Sequence, residues 1–65
     1  MRVTILPDRA QKEVSAKTVG DLLKQLGFHS DAHLVIRADE ILTRDVRLRE
    51  DDEVEVWPVI SGGSP

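Results

Sequence analysis

Apolar and polar positions alternate near both ends of the chain. Every second residue from Met1 to Ile5 is apolar, and the range 54–57 has valine in its first and third positions. A period of two is typical of a strand that buries one face. We therefore predict a first strand over 1–6 and a last strand over 53–59, lying side by side at the centre of one sheet.

The middle of the chain contains three weaker strand patterns. The segment 11–16 follows a Pro-Asp-Arg turn at 7–9, so we expect it to form an antiparallel hairpin with the first strand. The run Leu-Val-Ile at 34–36 predicts a buried strand, whereas the pair 41–42 is long enough only for a sheet edge. We expect the two ends of the run to face the core and its middle residue, Val35, to face outward.

One segment has the apolar spacing of a helix. Its apolar residues fall at i, i+3, i+4 and i+7, in one stripe formed by Val19, Leu22, Leu23 and Leu26. Thr18 is placed to cap the first turn, with Asp21 three residues later as a capping-box variant. Gly27 suits the left-handed conformation that ends many helices. The sequence thus predicts one main helix over 18–27.

The order of these elements, β-β-α-β-β-β, favours an α+β fold in which one helix covers a mixed sheet of four or five strands. We assign the range 1–60 to this domain. After Ile60 no large side chain remains, and the range 61–65 reads Ser-Gly-Gly-Ser-Pro. Because glycine is costly to order, we expect a flexible tail. It is either an unused terminus or a thin segment that enters a narrow tunnel in a partner.

Length and composition narrow the class of protein. Sixty-five residues suffice for one small domain, and without cysteine there is no disulfide, thiolate nucleophile or zinc–thiolate site. No apolar run approaches the ~20 residues of a membrane span, and the N-terminus lacks the apolar core of a signal peptide. We therefore expect a soluble cytoplasmic protein. The net charge of −3 argues against direct binding to nucleic acid, for which a basic face is usual.

Charge is distributed unevenly along the chain. Residues 1–38 carry six Lys/Arg and four Asp/Glu, a balance of +2, whereas residues 39–65 carry three and eight, a balance of −5. Much of the acidic excess lies in the run Glu-Asp-Asp-Glu at 50–53. This run is either a solvated turn or an acidic rim that meets a basic partner surface.

Side chains that could perform catalysis are scarce. The carboxylate pairs at 39–40 and 51–52 lie in predicted turns, where we expect them to be exposed to water. Carboxylates that act as catalytic acids or bases are usually buried, so these pairs are not suited to that role. His29 and His33 have no third ligand beside them, which makes a poor metal site. Two aromatic residues are too few for a base-stacking platform. We predict that the protein is not an enzyme and binds no cofactor or metal.

One surface feature remains as a candidate site. If the valines of the last strand face the helix, the alternation turns Trp57 to the opposite face, where we also expect Val35. An exposed Trp beside an exposed Val would form an apolar patch of the kind found at protein interfaces. The alternative is that Trp57 folds over the sheet edge and closes the core.

Several segments, in their order and spacing, are similar to those of one known group of proteins. They read Thr-Val-Gly-Asp-Leu-Leu at 18–23, Leu-Gly at 26–27, Leu-Val-Ile-Arg-Ala-Asp-Glu at 34–40, Leu-Arg-Glu-Asp-Asp-Glu-Val at 48–54 and Pro-Val-Ile-Ser-Gly-Gly at 58–63. Over 1–63 the chain resembles the ubiquitin-like β-grasp proteins, and more closely the sulfur carriers of the ThiS/MoaD family. Its Ile-Ser-Gly-Gly ending looks most like the carriers that serve tRNA 2-thiolation.

The resemblance implies a function at the end of the chain. Gly63 would be the carried end, and Gly62 and Ser61 would give it reach. An adenylyltransferase of the ThiF/MoeB type would activate the Gly63 carboxylate with ATP. The resulting thiocarboxylate would donate sulfur to a biosynthetic enzyme, in tRNA thiolation or in thiamine, molybdopterin or cysteine synthesis. The docking surface implied for such partners comprises Val35, Trp57 and Ile60.

The chain departs from the family pattern after its second glycine. Ser64 and Pro65 follow Gly63, so that this glycine lies in a peptide bond and has no carboxylate to activate. Either a JAMM-type metalloprotease removes the two residues first, or this form is inert, or the two residues are a cloning remnant.

Three other classes of protein stay open. A TGS-like regulatory or RNA-associated β-grasp module would share the opening of the chain and would need no Gly-Gly end. A ubiquitin-like modifier would attach the same end to other proteins. A purely structural interaction module would leave the tail without a role.

Overall fold

A computed structural model of the chain describes residues 1–59. They form five strands and one α-helix in the predicted order: β1 (Arg2–Ile5), β2 (Ala10–Glu13), α1 (Val19–Leu26), β3 (His33–Arg37), β4 (Glu40–Leu42) and β5 (Glu53–Pro58). One turn of 3-10 helix, Ser30–Ala32, lies between α1 and β3. No helix in this part of the chain is long and apolar enough to cross a bilayer.

The strands form one mixed sheet in the order β2-β1-β5-β3-β4. β1 and β5 are parallel, with Val3 beside Val54, and the other neighbouring pairs are antiparallel. The prediction that the first and last strands lie side by side at the centre is confirmed. Because β5 has a hydrogen-bonded neighbour on each side, the strand that leads to the chain end has a fixed direction.

The helix covers one face of this sheet, and apolar side chains fill the space between the two layers. The buried set is Val3, Val19, Leu22, Leu23, Val35, Leu42, Leu48, Val54 and Val56. α1 supplies three of these residues, as its apolar stripe predicts. Within residues 1–59 no polar or charged residue is buried. The stability of the domain therefore depends on a small hydrophobic core.

Strand β3 faces the opposite way from the prediction. Val35 is only 1% exposed and lies in the core, and its two neighbours point to the other side of the sheet. The physical cause is register, because a two-residue turn at 38–39 pairs Val35 with Leu42, and β5 pairs it with Val56. The prediction that Val35 faces outward is wrong, since three apolar residues in a row have no period that decides the face.

Both ends of α1 are capped as the sequence predicts. The Thr18 hydroxyl accepts the backbone N–H of Asp21 at 3.1 Å. At the other end Gly27 has a φ of 77°, and the N–H of Phe28 donates to the carbonyl of Leu23 at 2.9 Å. Glycine adopts this left-handed conformation at little steric cost, so the helix ends there and Phe28 returns to pack against the core.

The acidic run at 50–53 is divided between two environments. Asp52 is half-buried, and its Oδ2 accepts the backbone N–H of Arg49 at 2.8 Å and the guanidinium of Arg37 at 3.0 Å. The Arg49 N–H, and after it Arg37, hold the pKa of Asp52 below its ordinary value, against the opposing effect of burial. The other three residues of the run are exposed. Asp52 therefore fixes the turn that leads into β5.

Asp52→Asn should destabilise the domain by about 1 kcal/mol or more at neutral pH, because both hydrogen bonds lose their charged acceptor. The folded pKa is depressed, so the stabilisation is present above the unfolded pKa of about 3.9 and is lost as pH falls through the folded value. Urea unfolding between pH 7 and 2 should show a smaller acid-dependent loss in the variant than in the parent. Asp51→Asn, at an exposed position, is the control. Equal pH dependence in Asp52→Asn and the parent would contradict this role.

Candidate docking surface and the approach to the chain end

The sheet face away from α1 carries apolar side chains that no other element within residues 1–59 covers. Trp57 is 41% exposed, Leu34 38% and Ile41 61%, while Ile36 is half-buried among them. We call these four side chains the outer patch. Single exposed apolar residues are common on protein surfaces, but a contiguous group on one face indicates an interaction surface.

The register of the sheet brings the outer patch together. Trp57 on β5 lies opposite Leu34 on β3, and Ile36 on β3 lies opposite Ile41 on β4. Leu34 and Ile36 are two residues apart on one strand, so they share a face. Because directly opposed side chains are within contact distance, the four form one surface across three strands.

Glu55 lies next to the outer patch on the same face of β5. It stands two residues before Trp57 and opposite Ile36. Its Oε1 accepts the indole N–H of Trp57 at 3.0 Å. A charged group is thus joined directly to the largest side chain of the patch.

The predicted docking residues have different outcomes. Trp57 lies on the outer face as predicted and does not close the core. Val35 belongs to the core, and in its place the outer face carries Leu34, Ile36 and Ile41, which sequence reasoning missed. Ile60 lies outside the described residues, and so does the whole predicted tail: Ser61, Gly62, Gly63, Ser64 and Pro65.

β5 keeps its partners up to the last residues that the structure describes. Pro58 lies opposite His33, and the N–H of Val59 donates to the carbonyl of Ala32 at 2.8 Å. Pro58 has no backbone N–H and cannot donate a hydrogen bond to a neighbouring strand. Pairing continues because proline removes only its own donor. Val59, two residues beyond Trp57, is therefore held against the sheet, and the rest of the chain continues from that position.

The His33 ring has structural contacts, and the backbone of His29 supplies one of them. The His33 ring stacks on Phe28, with ring centroids 4.3 Å apart and planes 8° apart. Its Nδ1 lies 3.1 Å from the carbonyl oxygen of His29. Among residues 1–59 no group of three His, Asp or Glu side chains is arranged to hold a metal ion. Stacking on Phe28 and one hydrogen bond therefore explain the position of the His33 ring without a metal or a catalytic role.

Comparison with known proteins decides the family. The model of the ThiS family matches residues 2–63, nearly the whole chain. The chain belongs to the ThiS family. It is also 37% identical over 65 residues to the sulfur carrier protein TtuB of Thermus thermophilus, an alignment that covers 97% of this chain and 100% of the relative.

Membership of the ThiS family confirms the resemblance seen in the sequence. The mixed five-stranded sheet with one covering helix is the β-grasp fold that the resemblance implied. The ThiS match includes Gly62 and Gly63 as its last two residues, so Ser64 and Pro65 lie beyond the matched range.

Proposed function

We propose that the protein is a sulfur carrier whose working group is the carboxylate of Gly63. The observation that carries the proposal is the family match over residues 2–63, which ends on the Gly-Gly pair. The similarity to a sulfur carrier of Thermus thermophilus over almost the full length of both chains supports it. In this role the protein is a substrate of other enzymes and supplies no catalytic side chain.

The proposed chemistry begins at a carboxylate, which is a poor electrophile. On an adenylyltransferase of the ThiF/MoeB type, a Gly63 carboxylate oxygen attacks the α-phosphorus of ATP, which forms an acyl adenylate and releases pyrophosphate. A persulfide sulfur then displaces AMP. Reduction of the resulting acyl disulfide by a thiol leaves the thiocarboxylate, which donates its sulfur to an acceptor enzyme.

The proposed destination of the sulfur is the 2-thiolation of tRNA in the cytoplasm. This destination is proposed from the resemblance, noted in the sequence, of the Ile-Ser-Gly-Gly ending at 60–63 to carriers in that pathway. The same thiocarboxylate could serve thiamine, molybdopterin or cysteine synthesis. Sulfur transfer to purified acceptor enzymes of each pathway distinguishes these destinations.

Ser64 and Pro65 make the chain a precursor in this proposal. The bond between Gly63 and Ser64 is an amide, whereas activation requires a carboxylate at Gly63. Removal of the two residues by a JAMM-type metalloprotease would expose that carboxylate.

The outer patch is the proposed docking surface for the adenylyltransferase. The chain end begins two residues beyond Trp57, so a partner that covers the patch is also placed to receive the end. Rigid aromatic side chains surrounded by aliphatic ones are typical interface anchors. The patch lies on the sheet face opposite α1, so docking leaves the core intact.

Trp57→Ala should weaken binding of the carrier to the adenylyltransferase. In a carrier-dependent exchange of pyrophosphate into ATP, we expect the KM for the carrier to rise about 5- to 30-fold, which corresponds to about 1–2 kcal/mol. The indole is half-exposed, so far-UV circular dichroism should show a folded variant. Trp57→Phe keeps an aromatic ring and should lose less. A folded Trp57→Ala protein with an unchanged KM would contradict the docking role, and an unfolded one would show that the indole is needed for the fold.

A substitution at Gly63 separates this function from its alternatives. With adenylyltransferase, ATP and a sulfur donor, the form that ends at Gly63 should gain the mass of one sulfur-for-oxygen exchange. Gly63→Ala in that form should gain none, because a Cβ obstructs close approach of the backbone to the nucleotide. A TGS-like module or a structural module would show no mass gain in either form. A ubiquitin-like modifier would instead appear in covalent conjugates with other proteins.

A further inference from the structure

We propose that Glu55 is a positioning residue of the docking surface. Its carboxylate holds the indole of Trp57 in one orientation, and its charge requires a basic side chain on the partner beside the pocket that receives the indole. The inference rests on the proposed function, since it concerns the partner that adenylates the chain end. It starts from the 3.0 Å contact between Glu55 Oε1 and the indole N–H of Trp57.

The hydrogen bond restricts a ring that the sheet alone leaves partly free. Trp57 stands on an uncovered face, with Leu34 as its neighbour across the strand pair. Glu55 is two residues earlier on the same strand, so it shares that face without any change in the backbone. Binding costs less when a side chain is already ordered in its bound conformation. A fixed indole should therefore bind more tightly than a free one.

Docking over Trp57 also covers Glu55, because the two side chains are in hydrogen-bond contact. The indole N–H occupies one carboxylate oxygen and leaves the negative charge in place. Both ion pairs within residues 1–59 use other carboxylates, those of Glu53 and Asp52, so no cation lies within 4.0 Å of Glu55 in this part of the chain. Covering an ionised carboxylate without a counter-charge is costly.

The partner surface that fits this arrangement has an apolar pocket for the indole and a Lys or Arg at its rim. The basic side chain would pair with the free oxygen of Glu55 as the indole enters the pocket. A charge pair at the rim of an interface also speeds association, and salt weakens that effect. Glu55 therefore contributes to docking in two ways that can be measured separately: it orients the indole of Trp57, and it supplies a negative charge.

The orientation is tested first on the free protein. Trp57 is the sole tryptophan, so fluorescence anisotropy and acrylamide quenching report on this ring alone. Glu55→Ala should lower the anisotropy and raise the quenching constant, because the ring loses its acceptor. Glu55→Gln keeps a carbonyl acceptor and should resemble the parent. Glu13→Gln, on the same sheet face at the opposite edge, is the matched control and should change neither value.

The charge is tested with the host adenylyltransferase and the form that ends at Gly63. Glu55→Gln should raise the KM for the carrier at low salt, and the difference from the parent should shrink as salt screens the pair. Glu55→Ala should raise the KM by about threefold to tenfold, because it also removes the hydrogen bond. The value of kcat should be unchanged in both variants. If the KM of Glu55→Gln equals that of the parent at every salt concentration, the proposed pairing of Glu55 with a basic side chain of the partner is wrong.

A double-mutant cycle isolates the hydrogen bond. Trp57→Phe lacks the N–H donor, so Glu55→Ala should raise the KM less in that background than in the parent. Equal effects in both backgrounds, or an unchanged anisotropy in Glu55→Ala, would overturn the positioning role. If the form that ends at Gly63 is not adenylated at all, the proposed function fails, and the anisotropy of the free protein still decides the role of Glu55.

Discussion

The protein that ends at Pro65 is expected to give no pyrophosphate exchange with the adenylyltransferase, whereas the form that ends at Gly63 should be active. In the longer form an amide joins Gly63 to Ser64, and an amide has no carboxylate oxygen to attack ATP. The terminal carboxylate of that form belongs to Pro65, whose ring is bulkier than the backbone of a glycine. Only Gly-Gly brings a chain end that close to a nucleotide without steric obstruction.

The measurement compares the two forms at equal concentration with purified enzyme, ATP and labelled pyrophosphate. A form that ends at Ser64 is the matched control and should be as inactive as the longer chain. Circular dichroism should show the same fold in all three, because the core lies within residues 1–59. Equal activity of the forms ending at Gly63 and Pro65 would refute the precursor hypothesis.

Leu22→Ala is expected to unfold a substantial fraction of the protein. Leu22 is fully buried at the centre of the α1 stripe, where it packs between helix and sheet. Truncation removes buried apolar surface and leaves a cavity, which together cost about 2–5 kcal/mol. A domain of this size has a total unfolding free energy of about 3–10 kcal/mol. The urea midpoint should therefore fall sharply, and helical signal should be lost even without denaturant.

Lys24→Ala is the control for this prediction. Lys24 lies on the same helix with its side chain in water, so its truncation should change the unfolding free energy by no more than about 0.5 kcal/mol. A Leu22→Ala protein as stable as Lys24→Ala would show that the helix does not depend on this contact.

The helix could be predicted from the sequence because its signals are local. The cap at Thr18 and the left-handed Gly27 depend on residues within a few positions of each other. The central position of β1 and β5 could also be predicted, since their alternating apolar residues form the densest apolar segments. Periodicity identifies a buried face wherever polar residues interrupt the apolar ones.

The face of β3 could not be predicted because it depends on pairing between distant residues. Ala38 and Asp39 form the turn to β4 with φ of 53° and 68°, a conformation for which Asn-Gly or Asp-Gly is the usual signal. Ala-Asp gives no such signal, so the sequence did not reveal that Ile36 pairs with Ile41. The outer patch was therefore only partly predicted, through Trp57.

The contact between Glu55 and Trp57 had a sequence signal of a different kind. Two residues of a strand separated by one position share a face, and a carboxylate in that position can reach an indole N–H. The spacing allows the hydrogen bond but does not require it, because each side chain has other rotamers. The structure supplies the distance of 3.0 Å that turns this spacing into a testable role.

The intact mass of the protein isolated from its native host is the most direct test of the sulfur-carrier function. We expect a mass lower than that of the full chain by the residues Ser64 and Pro65, together with a second species heavier by one sulfur-for-oxygen exchange at Gly63. Treatment with a thiol-reactive alkylating reagent should shift only the heavier species, since the chain has no cysteine. A protein that keeps Ser64 and Pro65 in every molecule, with no species that reacts with the reagent, would contradict the proposed function.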